Sequence, residues 1–252
     1  VEGQKTHRTL KVDLHTHTAD DPIDHIPYST IELIDRAAEL RLDAVAITLH
    51  DRQLELGKFA RYANERGVTL LSGVERTIQG RHVLLINFPP AAASIDGFDD
   101  LAELEMRHPE GLVIAPHPFF PHPSCLGRLL DRHAALFHAV EFNAFYTSAL
   151  DFNREAIRWA RAHGRPVIGN SDAHRLPLLG RTYSLVEAEP NAGAICAAVK
   201  EGRTQVRTQP IGMLEAAAYF ASLTLAGLRA SRASDSFPAP AARSAGLLLD
   251  ED

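Results

Sequence analysis

Short apolar runs alternate with segments of helical period along most of the chain. Alternation of faces marks a strand, whereas recurrence every three to four residues marks a helix. On this basis strands are expected over residues 11–15, 44–48, 68–71 (running on toward Glu75), 81–88, 111–115, 139–143 and 166–169, with a further strand over 183–187. Helices are expected over 29–40, 54–66, 96–108, 129–137, 151–162, 191–200 and 212–230. Ser29 or Thr30 and Asp151 supply N-caps, and Gly67, Gly164 and Gly202 stop the helices before them. The Pro-rich stretch 119–127 excludes regular helix. From Ser231 onward Ser, Ala, Pro and acidic residues dominate, and a disordered tail over 231–252 is expected beside a single domain over 8–230.

Strands that alternate with helices argue for parallel β/α units closed into a barrel or wound into an open sheet. A Gly-rich dinucleotide fingerprint, a P-loop and an internal repeat are all absent. Gly169-Asn170-Ser171 lacks the flanking pattern of a nucleophile elbow.

Composition narrows the chemistry. Of 252 residues, 45% are hydrophobic and 23% charged, the balance of an ordinary globular protein. A formal net charge of -6 argues against broad nucleic-acid binding through a basic surface and against a stable nucleic-acid complex. Two cysteines, Cys125 and Cys196, make no disulfide framework, so a reducing, cytoplasmic setting is expected. The polar, basic start has no apolar signal region, and no run is long enough to span a bilayer. The outlier is thirteen histidines.

Those histidines fall at strand ends. The first strand ends in His15 and His17, the second in His50 and Asp51, the third in Glu75, the fifth in His117, and the seventh in Asp172 and His174. His82 opens the strand after Glu75, and Glu141 and Asn143 sit on the sixth. In a β/α barrel the strand ends share one mouth, where active sites are built. Imidazole with carboxylate suits Zn, Mn or Fe, and the set is too large for one tetrahedral ion, so two or three divalent ions are expected. Asp13 is expected to orient a ligand rather than to bind metal. His122, in the Pro-rich stretch, is a candidate proton donor to a leaving oxygen. Arg128, Arg175 and Arg181 are candidate phosphate clamps. Trp159 is assigned to helix packing, and His7, His108, His133, His138 and His163 to the surface.

The runs Asp13-Leu14-His15-Thr16-His17-Thr18, Ala46-Ile47-Thr48-Leu49-His50-Asp51, Gly73-Val74-Glu75, Ala115-Pro116-His117-Pro118 and Ser171-Asp172-Ala173-His174 resemble the PHP (polymerase and histidinol phosphatase) superfamily, in family order, from about Lys11 to Glu187. The resemblance implies a distorted seven-stranded (β/α)7 TIM-like barrel. It also implies phosphoester hydrolysis by a metal-bound hydroxide at a trinuclear cluster. By the same resemblance His15, His17, Glu75 and Asp172 hold one ion. Glu75, His82 and His117 hold a second. His50, His174 and an early-loop residue hold the third, with Asp21 and His25 favoured over Asp20 and Asp24. Leu49 stands where the family usually carries Asp, which alters the surroundings of His50. The implied substrate is a small phosphorylated metabolite, a nucleotide or a short oligonucleotide. The alternatives are a degenerate domain that binds metal or a partner without turnover, and a related hydrolase acting on a C–N bond. Oligomeric state is not encoded in any of these features.

Overall fold

In the computed structural model the structure describes residues 8–213 together with Met213's near neighbours Glu215 and Ala216. The chain divides into two compact units, Val1–Ile211 and Gly212–Asp252. In the second, the amide of Ala216 donates to the carbonyl of Gly212 (2.8 Å). The remainder of the helix expected over 212–230 and the tail expected over 231–252 lie outside the described residues, as does His7.

Among the described residues the first unit carries nine strands in one sheet, ordered β7-β6-β5-β4-β3-β2-β1-β8-β9. They are β1 (Arg8–Thr16), β2 (Ala44–Ile47), β3 (Thr69–Ile78), β4 (Arg81–Ile86), β5 (Leu112–Ala115), β6 (Ala139–Asn143), β7 (Val167–Asn170), β8 (Thr182–Ala188) and β9 (Thr204–Thr208). The helices are α1 (Thr30–Glu39), α2 (Gly57–Glu65), α3 (Phe98–Arg107), α4 (Leu129–Arg132), α5 (Asn153–Ala162) and α6 (Ala192–Lys200). Ser29 caps α1 in a capping box with Glu32. The helix expected over 129–137 breaks at His133 and continues only as a 3-10 turn over Ala134–Leu136.

The expected seven-stranded barrel is therefore corrected to a nearly closed, nine-stranded sheet. Two features account for the difference. β4 pairs antiparallel with both β3 and β5. Its link to β3 is the two-residue turn Gln79-Gly80, both at positive φ, which makes a hairpin where a parallel pair would need a crossover helix. After β7, a 3-10 turn over Leu176–Leu178 leads into β8, which runs antiparallel to β1 and carries β9 on its far side.

The near-closure is made by side chains as much as by backbone ladder. The Ser184 hydroxyl accepts from the Gly169 amide (2.7 Å) and donates to the Gly169 carbonyl (3.1 Å), joining β7 to β8. A Cβ at Gly169 would lie 2.7 Å from Val206 Cγ1 and 3.1 Å from the Tyr183 carbonyl, so only glycine permits this approach. Nearer the mouth, Asn170 Oδ1 accepts from the Leu14 amide (2.9 Å), and the Asp13 carboxylate accepts from the Ser171 amide (3.1 Å).

Two apolar clusters follow from strand alternation. Leu10, Val12, Leu14, Ala44, Ala46, Leu84, Ile86, Leu112 and Ile114 pack inside with Ile195, Cys196 and Val199 of α6, which covers the end where the parallel strands begin. Val74, Val83, Leu85, Val113 and Val140 pack outside with Phe98 and Leu101 of α3 and with Trp159 of α5.

Candidate metal centre

His15 and His17 reach the inner face because β1 contains a bulge. Leu10, Val12 and Leu14 already occupy that face, so unbroken alternation would send His15 outward. Between Asp13 and Thr16 the register against Val45 and Ile47 of β2 slips by one residue. That extra residue resets the phase and turns both imidazoles toward the mouth. His82 arrives by the opposite route. In an antiparallel strand the first residues stand level with the last residues of parallel neighbours, so the start of β4 lies at the mouth. His117 and Asp172, just past β5 and β7, both take positive φ (29° and 49°). This sparsely populated conformation for non-glycine residues is held here by the surrounding bonds.

Glu75 is the hub. It is 1% exposed, and its two oxygens serve two groups of imidazoles. Oε2 lies 3.1 Å from His15 Nε2, 3.3 Å from His17 Nε2 and 3.2 Å from His50 Nε2. Oε1 lies 2.7 Å from His82 Nδ1 and 3.1 Å from His117 Nε2. Asp172 Oδ1 faces His15 Nε2 (3.3 Å), His17 Nε2 (3.4 Å) and His174 Nδ1 (3.4 Å). Three donor groups converge closely enough to share an ion each: His15, His17, Glu75 and Asp172; His50, Glu75 and His82; and His17, His50 and His174.

The nitrogens and oxygens on the far side of these side chains are held from outside. Glu141 Oε1 meets His15 Nδ1 at 2.9 Å and also accepts from the Asn170 amide group (3.0 Å). Its other oxygen accepts from the His117 backbone amide (2.8 Å). Asn143 Nδ2 donates to Asp172 Oδ2 (3.0 Å). Cys125 Sγ lies 3.3 Å from His117 Nδ1. Such partners fix which ring nitrogen faces the pocket.

The expected early-loop residues separate. Asp21 Oδ2 meets Nδ1 of both His17 and His50 (3.0 Å each) and accepts from the His50 amide, so it stands behind two imidazoles. Asp24 Oδ2, less favoured on sequence grounds, is the oxygen that faces His174 Nε2 (3.0 Å). His25 is exposed and joins none of the three donor groups. Asp51 turns away and accepts from Arg76 (2.8 Å). Leu49 is fully buried, and its carbonyl accepts from the Glu75 amide (3.1 Å).

Charge in the cluster is strongly mutual. Burial disfavours charge on His15, but Asp172, Glu141 and Glu75 outweigh it and raise its pKa well above the usual value. Burial likewise opposes charge on His17, yet the facing carboxylates of Asp172, Asp21 and Glu75 raise it to about 10. Against their own burial, Glu75 and Asp172 are held well below the ordinary carboxylate range by the facing histidines. Burial alone pushes Asp13 up to about 7, against its Ser171 hydrogen bonds.

Whether these residues fit metal is tested by their unmet polar atoms. His17 Nε2, His82 Nδ1 and Asp172 Oδ1 are buried with no aligned hydrogen-bond partner. Buried polar atoms are ordinarily paired, so three such atoms aimed into one pocket of imidazoles and carboxylates match the demand of divalent cations.

The expected surface residues divide as well. His122 is exposed, with Nδ1 2.8 Å from Ser124 Oγ. Arg128 and Arg175 are exposed, and Arg181 donates to the Pro177 carbonyl (3.3 Å). His138 and His133 are corrected from surface to packed positions: His138 Nδ1 accepts from the Val113 amide (3.0 Å), and His133 stacks on Phe98 at 3.9 Å.

A barrel-like α/β fold with a candidate polynuclear metal centre at its mouth thus defines the class. Residues 151–204 match the family described as PHP-associated, a stretch that includes Asp172 and His174. The match is to that part of the chain, and it agrees with the resemblance to the PHP superfamily read from the sequence. Among solved structures it is similar to a two-domain protein from Bacteroides vulgatus containing a predicted PHP-like metal-dependent phosphoesterase (22% identity, TM-score 0.63), over 81% of this chain and 66% of that one. PsfC from Pseudomonas syringae is similar over 86% of this chain and 99% of its own length (19% identity, TM-score 0.61). The lesion-specific endonuclease PfuEndoQ from Pyrococcus furiosus is similar over 79% of this chain and 58% of its own (17% identity, TM-score 0.55). No curated protein matches the sequence. Among the described residues no helix is long and apolar enough to cross a membrane.

Proposed function

We propose that the chain is a metal-dependent phosphoesterase, with His15, His17, His50, Glu75, His82, His117, Asp172 and His174 as the ligands of two or three divalent ions. The single observation that carries this reading is the Glu75 carboxylate, whose two oxygens each face a separate set of imidazoles. A carboxylate so placed suits bridging between ions. When bound, such ions act as Lewis acids on phosphoryl oxygens and lower the pKa of coordinated water.

The chain's own residues supply the rest. Glu141 and Asp21 fix the orientation of His15, His17 and His50 from behind. Asn143 holds Asp172, and Asp24 with His174 closes the side of the pocket toward the early loop. His122, on the rim, is a candidate to protonate a leaving oxygen. The similar structures include a predicted metal-dependent phosphoesterase and an endonuclease, which supports phosphoester chemistry.

Elemental analysis of purified protein, followed by a phosphoester panel with added Mn, Zn or Fe, tests the reading. Chelator-sensitive hydrolysis is expected. Full metal loading with no hydrolysis of monoesters or diesters would leave only a binding module.

A further inference from the structure

A groove of about 1090 Å³ opens beside the metal centre, between the Pro-rich segment, α4 and α5. It adjoins the centre at two points. Cys125 lines it and touches His117 Nδ1 through its sulfur, and Arg81 lines it next to His82. The rim carries Arg128, Arg132 and Arg158, all exposed. None of these three guanidinium groups makes a hydrogen bond or ion pair with the described residues. Arginines elsewhere on this acidic chain commonly do: Arg8 with Asp43, Arg61 with Glu65, Arg107 with Glu103 and Arg203 with Glu201. Two acids also line the groove, and one of them, Asp131, is engaged by the Trp159 indole N–H (2.7 Å).

Half-buried Phe119 and Phe120 line the same groove, and Phe120 meets the His117 ring at 6.3 Å, edge to face. Guanidinium forks suit phosphate oxygens, and aromatic faces suit bases. A single small phosphate would leave this surface without use.

We propose that the groove binds a single-stranded nucleic acid segment flanking the reacting phosphoester, with its backbone phosphates on Arg128, Arg132 and Arg158 and a base against Phe120. This rests on the phosphoesterase reading and narrows its substrate class to a short oligonucleotide. It also refines the expectation drawn from net charge: the overall acidity conceals a local cationic rim.

The test is fluorescence anisotropy of a short fluorescein-labelled oligothymidylate on the full chain in chelator, across a salt series. Each phosphate contact to a single strand contributes roughly 0.7 to the slope of log affinity against log salt. The combined variant Arg128→Gln, Arg132→Gln and Arg158→Gln is expected to flatten that slope by about 2. Phe120→Ala is expected to weaken binding about tenfold at every salt concentration, with the slope retained. Circular dichroism and metal content identify a misfolded variant, and single Gln substitutions then replace the combined one. An unchanged slope in folded variants overturns the proposal. A short oligonucleotide and a small chromogenic phosphoester, each given to metal-loaded wild type, separate the two readings. Hydrolysis with an unchanged slope sinks the groove alone, whereas a flattened slope without hydrolysis supports the groove and sinks the phosphoesterase.

Discussion

Glu141 Oε1 lies 2.9 Å from His15 Nδ1, on the side of the ring turned away from Glu75, and both side chains are fully buried. This contact sets which nitrogen of His15 faces the pocket. Glu141→Gln keeps the shape and removes the charge. Metal affinity is expected to fall roughly 10- to 100-fold, the usual cost of losing such a partner. Chelator competition measures it, and an unchanged affinity would assign Glu141 to the structural role of holding Asn170.

Metal loading must displace protons. Against burial, the carboxylates of the cluster raise His15 and His17, and Cys125 together with Glu75 and Asp172 raises His117, above the usual imidazole value. Near neutral pH these rings carry protons that a cation has to replace. Calorimetric titration in buffers of different ionisation enthalpy is expected to show net proton release and weaker binding as pH falls. The same linkage acts on the metal-free fold. A histidine raised from 6.5 to about 10, as His17 is, stabilises the fold fully below pH 6.5, and that contribution is lost as pH rises toward 10. The unfolding midpoint of metal-free protein is therefore expected to drop across that window. A flat profile would show that His17 is not held charged.

His17→Ala removes a ring shared by two of the three donor groups. The expected outcome is loss of bound metal and of hydrolysis, with a native circular dichroism spectrum. If the spectrum collapses instead, the histidine is structural rather than a ligand. His15→Ala provides a second reading of the same question.

The seam between β7 and β8 makes a separate prediction. Gly169→Val places methyl groups where Val206, Thr182 and the Tyr183 carbonyl already stand. Overpacking of this kind costs roughly 1–3 kcal/mol. Urea unfolding at fixed metal content measures it. Stability equal to wild type would mean that β8 and β9 move aside freely.

Much of this was legible in the sequence, for identifiable reasons. Apolar runs mark buried strands, and polar residues at their ends stand out by contrast, so His15, His50, Glu75, His117 and Asp172 could be collected before any coordinates. The β1 bulge could not be: alternation places His15 and His17 together but is silent on the extra residue that turns them inward. β9 escaped notice because Thr204–Thr208 is polar and mostly exposed, without an apolar alternation to read. The early loop has no period at all, so the choice among Asp21, Asp24 and His25 depended on chain path. Cys125 and Asp24 carried no sequence signal beyond nearness to an expected site, and Glu141 showed only its strand position.

The reversed direction of β4 bears on how the centre comes into being. His15 and Asp172 meet only after almost the whole barrel has been threaded, at a large loss of chain freedom. Glu75 and His82 lie on the two arms of one tight hairpin, and their encounter demands closure of a very short loop. Of the pairs that make up the centre, this one therefore carries the smallest loss of chain freedom, since only Gln79 and Gly80 separate its two strands.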